Sequence, residues 1–159
     1  MPSYTYHDVF PPEHVFKYAD LMRKQLGTDY IDLLQFHVWT DEWTDEPDFR
    51  KTLEKLKRDG IIRHFGLSLN RWEPENGIKA IRTGLVDAVQ VIYSIFDQSP
   101  EDTLFPLCQE LNIGVIVRVF VLSHPAVGTT IVGMRKSQHV RENTALSDMG
   151  PSRRICCGS

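Results

Sequence analysis

The sequence predicts an α/β fold built from parallel βα units, and three observations carry that prediction. Short apolar runs alternate with amphipathic stretches from about residue 12 to residue 147. The runs recur about every 25 residues, which suits one strand and one helix per unit. Prolines open and glycines close the amphipathic stretches, as Pro12 with Gly27 and Pro47 with Gly60 do. Proline lacks the N–H that a first helical turn leaves unused, and glycine accepts the left-handed cap. Right-handed crossovers set all helix starts at one end of such a sheet, the end where α/β proteins bind ligands. A segment of a (β/α)8 barrel and an open doubly wound sheet both have this pattern.

The elements follow in order. The first amphipathic stretch sets Val15, Ala19, Met22 and Leu26 on one helical face. A buried-strand run extends from Ile31 to Val38. Pro47 opens a second helix with Phe49, Leu53 and Leu56 on one face, and Phe65 to Leu69 reads as the second strand. Pro74 opens a third helix that buries Ile78, Ile81 and Leu85 and ends near Gly84. Ala88 to Tyr93 is the third strand. Ser99-Pro100-Glu101-Asp102 starts a helix with Leu104, Leu107, Cys108 and Leu111 as its apolar face. Val115 to Val119 is the fourth strand, Thr129 to Val132 the fifth, and a last helix runs from about Ser137 to Leu146. About ten residues separate Val119 from Thr129, fewer than a parallel crossover with its helix needs. Either the fifth strand pairs antiparallel, or a βα unit has lost its middle.

Composition bounds the function classes. The chain has 159 residues, 42% hydrophobic and 25% charged, which suits one domain with a real core. We expect that domain over residues 1–150 and a polar, mobile tail over 151–159. A net charge of −3 argues against nucleic-acid binding driven by phosphate neutralisation. The apolar runs are too short to span a bilayer, and no signal-peptide pattern opens the chain. The three cysteines, Cys108, Cys156 and Cys157, form neither a disulfide framework nor a metal spacing, and the six histidines show no zinc pattern. We therefore expect a cytoplasmic protein without membrane or nucleic-acid partners and without a metal.

The run Leu26-Gly27-Thr28-Asp29-Tyr30-Ile31-Asp32-Leu33-Leu34-Gln35-Phe36-His37 resembles the fourth-strand signature of the aldo-keto reductases. Four further pieces follow in the family's order. They are Gly60-Ile61-Ile62-Arg63-His64-Phe65-Gly66-Leu67-Ser68, then Val89-Gln90-Val91-Ile92-Tyr93, then Gly114-Val115-Ile116-Val117-Arg118-Val119. The last is Thr130-Ile131-Val132-Gly133-Met134-Arg135, leading to Val140-Arg141-Glu142-Asn143. The resemblance implies a partial (β/α)8, TIM-type barrel of about five strands, the family's strands four to eight. It also implies NADPH bound without a Rossmann motif, and the chain holds no Gly-x-Gly-x-x-Gly or Walker-type loop. The family's strands one to three, which carry its catalytic Asp, Tyr and Lys, are expected to be missing, and so is most of the seventh loop and helix. Nothing around Tyr4 or Tyr6 matches the tyrosine motif.

By the same resemblance, His37 matches the catalytic histidine that holds the substrate carbonyl. The chemistry wants a neutral donor at a strand's C-terminal end, aimed at developing negative charge; a histidine that merely packs there has the same local pattern. Ser68 and Gln90 match the anchors of the nicotinamide carboxamide, where one donor and one acceptor must be fixed in plane. Leu69 replaces the family's usual polar residue, and Asn70 is a substitute for it. Arg118 stands where many members stack an aromatic side chain, and a guanidinium stacks similarly. Gly133, Arg135, His139, Glu142 and Asn143 match the adenosine-phosphate end, where Arg135 would fork onto a 2′-phosphate and Lys136 add positive potential.

Other residues admit two readings. Trp39 and Trp43, with Asp41, Glu42, Asp45 and Glu46, follow the first strand. Tryptophans there can stack on a sugar or aromatic ring; the carboxylates look like a paired acid–base set, yet acids this dense before a proline-started helix are usually solvated caps, the reading we expect. Cys156-Cys157-Gly158-Ser159 resembles a double-cysteine prenylation end. The expected function is NADPH-dependent carbonyl or sugar-alcohol hydride transfer, weak or absent in this chain. The alternative is a non-catalytic half-barrel that binds a nucleotide or a partner. An open barrel segment exposes edges and an inner face. With Leu33, Leu67, Val89 and Val117 as its uncovered surface, self-association into a homo-oligomer is expected. The other solution is a sheet covered by Met1 to Phe10.

Overall fold

The computed structural model describes residues 4–37, 39–70, 73–94, 96–118, 127, 129–131, 138 and 141, with 129–131 described through the backbone. Helix α1 (Tyr6–Val9) is followed by α2 (Pro12–Leu26), strand β1 (Ile31–His37), a 3-10 turn (Asp41–Asp45) and α3 (Pro47–Arg58). Then come β2 (Ile62–Ser68), α4 (Ile78–Arg82), β3 (Ala88–Val91), a second 3-10 turn (Ser99–Glu101), α5 (Leu104–Glu110), β4 (Gly114–Arg118) and β5 (Thr129–Ile131). Gly27 ends α2 at φ 67° and Gly60 follows α3 at φ 69°, as the proline–glycine punctuation predicts. Helix α4 is shorter than expected, because residues 74–77 form turns before it. The expected last helix lies outside the described residues except at 138 and 141, and the tail lies wholly outside them.

The five strands form one parallel sheet in the order β1-β2-β3-β4-β5. A doubly wound sheet reverses strand order at a switch point. This sheet never reverses, so it winds one way, as a barrel segment does. Strand β5 pairs parallel with β4, Ile116 opposite Thr129 and Arg118 opposite Ile131, which removes the antiparallel option. Among the described residues no helix is long and apolar enough to cross a membrane.

Register separates the two faces. Leu34, Phe36, Phe65, Leu67, Val89, Val91, Val115 and Val117 form the helix-side core with Phe49, Leu53, Ile81 and Leu104. The opposite, inner face carries Leu33, Gln35, His37, His64, Gly66, Ser68, Ala88, Gln90, Gly114, Ile116 and Arg118. The expectation of an uncovered apolar surface therefore needs correction. Leu67, Val89 and Val117 are fully buried against the helices, and only Leu33 of the four belongs to the inner face. Both parities of these strands are apolar in places, so alternation alone does not reveal which one the helices cover.

The N-terminal segment also departs from expectation. Thr5 and Asp8 form a capping box, the Thr5 N–H donating to Asp8 Oδ2 at 2.8 Å and the Asp8 N–H to Thr5 Oγ1 at 3.3 Å. The box directs Tyr6 into the core, fully buried, beside Phe49 at 6.2 Å. Phe10 stacks on Phe36 with ring centroids 4.0 Å apart and planes 7° from parallel. Residues 4–10 thus cover the helix side of β1 and leave the inner face to other uses.

Candidate active site

Three strand ends meet at one height on the inner face. His37 closes β1, Ser68 closes β2, and Gln90 lies one residue before the end of β3. Parallel pairing sets His37 opposite Ser68, and Ser68 opposite Gln90, so their side chains form a row across the sheet. Arg118 ends β4 beyond them. With Leu69 and Asn70 they line a cleft of about 210 Å³ at the C-terminal end of the strands. His37, Ser68, Gln90 and Arg118, far apart in sequence, are thereby brought together as expected. Val91 and Ile92 also line the cleft; they read as plain strand residues in the sequence, and no signal marked them.

The cleft's polar groups are paired in a useful way. Ser68 is buried, and its hydroxyl oxygen accepts a hydrogen bond from Gln90 Nε2 at 3.4 Å. The serine O–H and the Gln90 Oε1 remain as one donor and one acceptor side by side, the complement of a primary carboxamide. Main chain continues the pairing past the strands, the Leu69 N–H donating to the Gln90 carbonyl at 2.8 Å. Beneath this row Gly66 lets β1 and β3 approach. A Cβ there would stand 3.0 Å from the Ala88 carbonyl oxygen and 3.2 Å from Gln35 Cγ. Among the described residues no carboxylate lines the cleft, so the exposed guanidinium of Arg118 gives this lining a positive field that favours an anionic or electron-rich ligand.

Proton donors are scarce there. None of the five tyrosines lines the cleft. Tyr93 is buried and its hydroxyl donates to Glu101; burial and that carboxylate push its pKa up to about 12. Tyr6 sits in the helix-side core, where burial likewise pushes it to about 12. Tyr30 lies under the Arg63 guanidinium at 3.7 Å, next to the start of β1 and so at the far end of the sheet.

Two expectations about the loop after β1 are corrected. Trp39 and Trp43 are 3% and 8% exposed and meet edge to face at 5.8 Å. Trp39 packs on Phe49 at 4.7 Å, so these rings complete the core and offer no ligand platform. Asp41 is not a solvated cap of α3; it accepts hydrogen bonds from α4, across 38 and 39 residues of sequence. Gly133, Arg135, His139, Glu142 and Asn143 lie outside the described residues.

Comparison with known proteins yields consistent matches. The model of the aldo/keto reductase family matches residues 3–121. An oxidoreductase of Bacillus subtilis is 37% identical over 95 residues, covering 59% of this chain and 29% of that protein. The chain thus spans about a third of the length of the curated relatives it matches. A Pseudomonas aeruginosa protein assigned to the aldo-keto reductases superposes with a TM-score of 0.72 at 23% identity, over 87% of this chain and 59% of its own. An aldo/keto reductase of Klebsiella pneumoniae, solved with NADP and acetate, superposes with a TM-score of 0.54 at 26% identity, over 65% of this chain and 36% of its own.

Proposed function

From the premise that the chain belongs to the aldo/keto reductase family, we propose that its cleft binds the nicotinamide end of NADPH and serves carbonyl–alcohol hydride transfer. The observation that carries this reading is the shared height of His37, Ser68 and Gln90 on three adjacent strand ends. The group fits the donor set: the Ser68 O–H donates to a carboxamide oxygen and Gln90 Oε1 accepts from its NH2. Arg118 stacks beside the ring or neutralises a phosphate. Bound in this way, a reduced nicotinamide supplies hydride. His37 donates a hydrogen bond to the substrate carbonyl oxygen and stabilises the charge that develops on it. Arg135, with Gly133, Lys136, His139, Glu142 and Asn143, is assigned to the adenosine 2′-phosphate end, which favours NADPH over NADH.

The same chain lacks a tyrosine in the cleft, and general-acid assistance contributes about 10²–10⁴-fold. These 159 residues by themselves are therefore proposed to bind cofactor and to turn over weakly. The test is calorimetric titration with NADPH and NADH. Saturable NADPH binding, weakened by Ser68→Ala and shifted toward NADH by Arg135→Ala, is expected. Absence of binding to either nucleotide, or turnover at full family-like rates, would overturn the reading.

Self-association is also proposed, on different grounds from an apolar inner face. Ile31 donates to Ile61, so the odd residues of β1 face β2. Asp32, Leu34 and Phe36 then aim N–H and C=O groups at the open edge, where the described residues supply no neighbouring strand. Light scattering at micromolar concentration checks this, with a monomer counting against it.

A further inference from the structure

Strand β1 is an edge strand among the described residues, paired on one side only. Its printed span ends at His37, which pairs with Ser68 of β2 and has no strand on its other side among the described residues. Four residues later the chain meets an unusually dense anchor. Asp41 Oδ2 accepts from the Lys79 N–H at 2.9 Å and Asp41 Oδ1 from the Ala80 N–H at 3.2 Å. Oδ1 also receives Thr44 Oγ1 at 3.3 Å and Trp39 Nε1 at 3.4 Å. The Asp41 N–H donates in turn to Asn76 Oδ1 at 2.6 Å. Lys79 Nζ reaches back to Asp45, closing a second link between the same two segments.

Helix α4 has no cap from its own neighbours: Gly77 precedes it without a side-chain hydrogen bond. Its free N–H groups are taken up by a carboxylate from another βα unit, which charge and helix dipole both favour. The consequence reaches the cleft, because α4 follows β2 and β2 ends in Ser68. One side chain therefore ties the exit of β1 to the unit that holds Ser68, at the ligand end of the sheet.

We infer that Asp41 is a positioning residue, clamping the end of β1 to the start of α4 so that His37 stays beside Ser68 and Gln90. The inference deepens the cofactor reading above, yet its first readout needs no ligand. The Cε1–H resonance of His37, identified by its loss in His37→Gln, is followed by NMR in the full chain. Asp41→Ala is expected to broaden or split that resonance and to weaken NADPH binding about tenfold. Asp41→Asn, which keeps one acceptor oxygen, is expected to fall between and remains informative if the alanine variant does not fold. Gly27→Ala strains the left-handed cap of α2, which precedes the start of β1 at the end of the sheet opposite the cleft, and serves as a control for general destabilisation. An unmoved His37 resonance in both Asp41 variants would overturn the inference, as would an equal disturbance in Gly27→Ala. If the unsubstituted chain binds no NADPH, the cofactor reading fails, while the ligand-free spectrum still decides the clamp.

Discussion

Replacing Phe49 by alanine tests the helix-side core at its centre. Phe49 is fully buried and meets Tyr6 at 6.2 Å, Trp39 at 4.7 Å and Phe65 at 5.9 Å. It thus joins α1, the loop after β1, and β2 through one ring. An aromatic side chain removes about 150–250 Å² from water, and phenylalanine-to-alanine changes in cores cost about 3–5 kcal/mol. A site joined to three elements has little freedom to collapse, so the expected loss is about 4 kcal/mol. With an m-value near 2 kcal/mol per molar urea, the midpoint falls by about 2 M. Urea titration followed by tryptophan fluorescence reports it directly, since Trp39 is in contact. A loss below about 1 kcal/mol would refute the reasoning, because it would mean that the ring is not enclosed as described. Tyr6→Ala and the double variant complete a cycle; strict additivity would show that α1 does not pack on Phe49.

Other outcomes follow from particular residues. Tyr6 and Tyr93 have folded pKa values near 12 against an ordinary 10, so the unfolded chain loses these protons first. Their stabilising contribution is complete below pH 10 and disappears as pH rises through 12. Tyr93→Phe should flatten the fall in urea midpoint over that range, and an unchanged slope would count against the burial of that hydroxyl. Cys108 is buried, and burial pushes its thiol up to about 11; alkylation followed by mass spectrometry should show it modified only in denaturant. Gly27 holds φ 67° with nothing within 4 Å of a Cβ, so Gly27→Ala should cost about 1 kcal/mol through backbone strain alone. A thermal melt unchanged by that substitution would contradict the left-handed cap.

The strand positions were legible because β-rich apolar runs stand between proline and glycine signals. Strand β1 starts at Ile31 as expected and spans Ile31–His37, the expected last residue, Val38, lying outside the described residues, and α3 starts at Pro47 as expected. The row of His37, Ser68 and Gln90 was legible only through the family resemblance; each alone reads as an ordinary strand-end polar residue. Helix α1 was missed, although its signal, a Thr5–Asp8 capping box at the right spacing, was present in the sequence. A four-residue helix is below the length at which periodicity speaks.

Local chemistry determined where helices begin and end, since proline, glycine and capping residues act on their own backbone. It also determined the parallel class, since strand and helix alternate at crossover length. Tertiary structure decided which parity of each strand meets the helices, sending Leu67, Val89 and Val117 inward to the core and Ser68 and Gln90 to the cleft. It decided that Trp39 and Trp43 serve packing, and that Asp41 caps a helix from another unit. Those outcomes depend on contacts between residues tens of positions apart, and a one-residue shift in strand facing reverses them all.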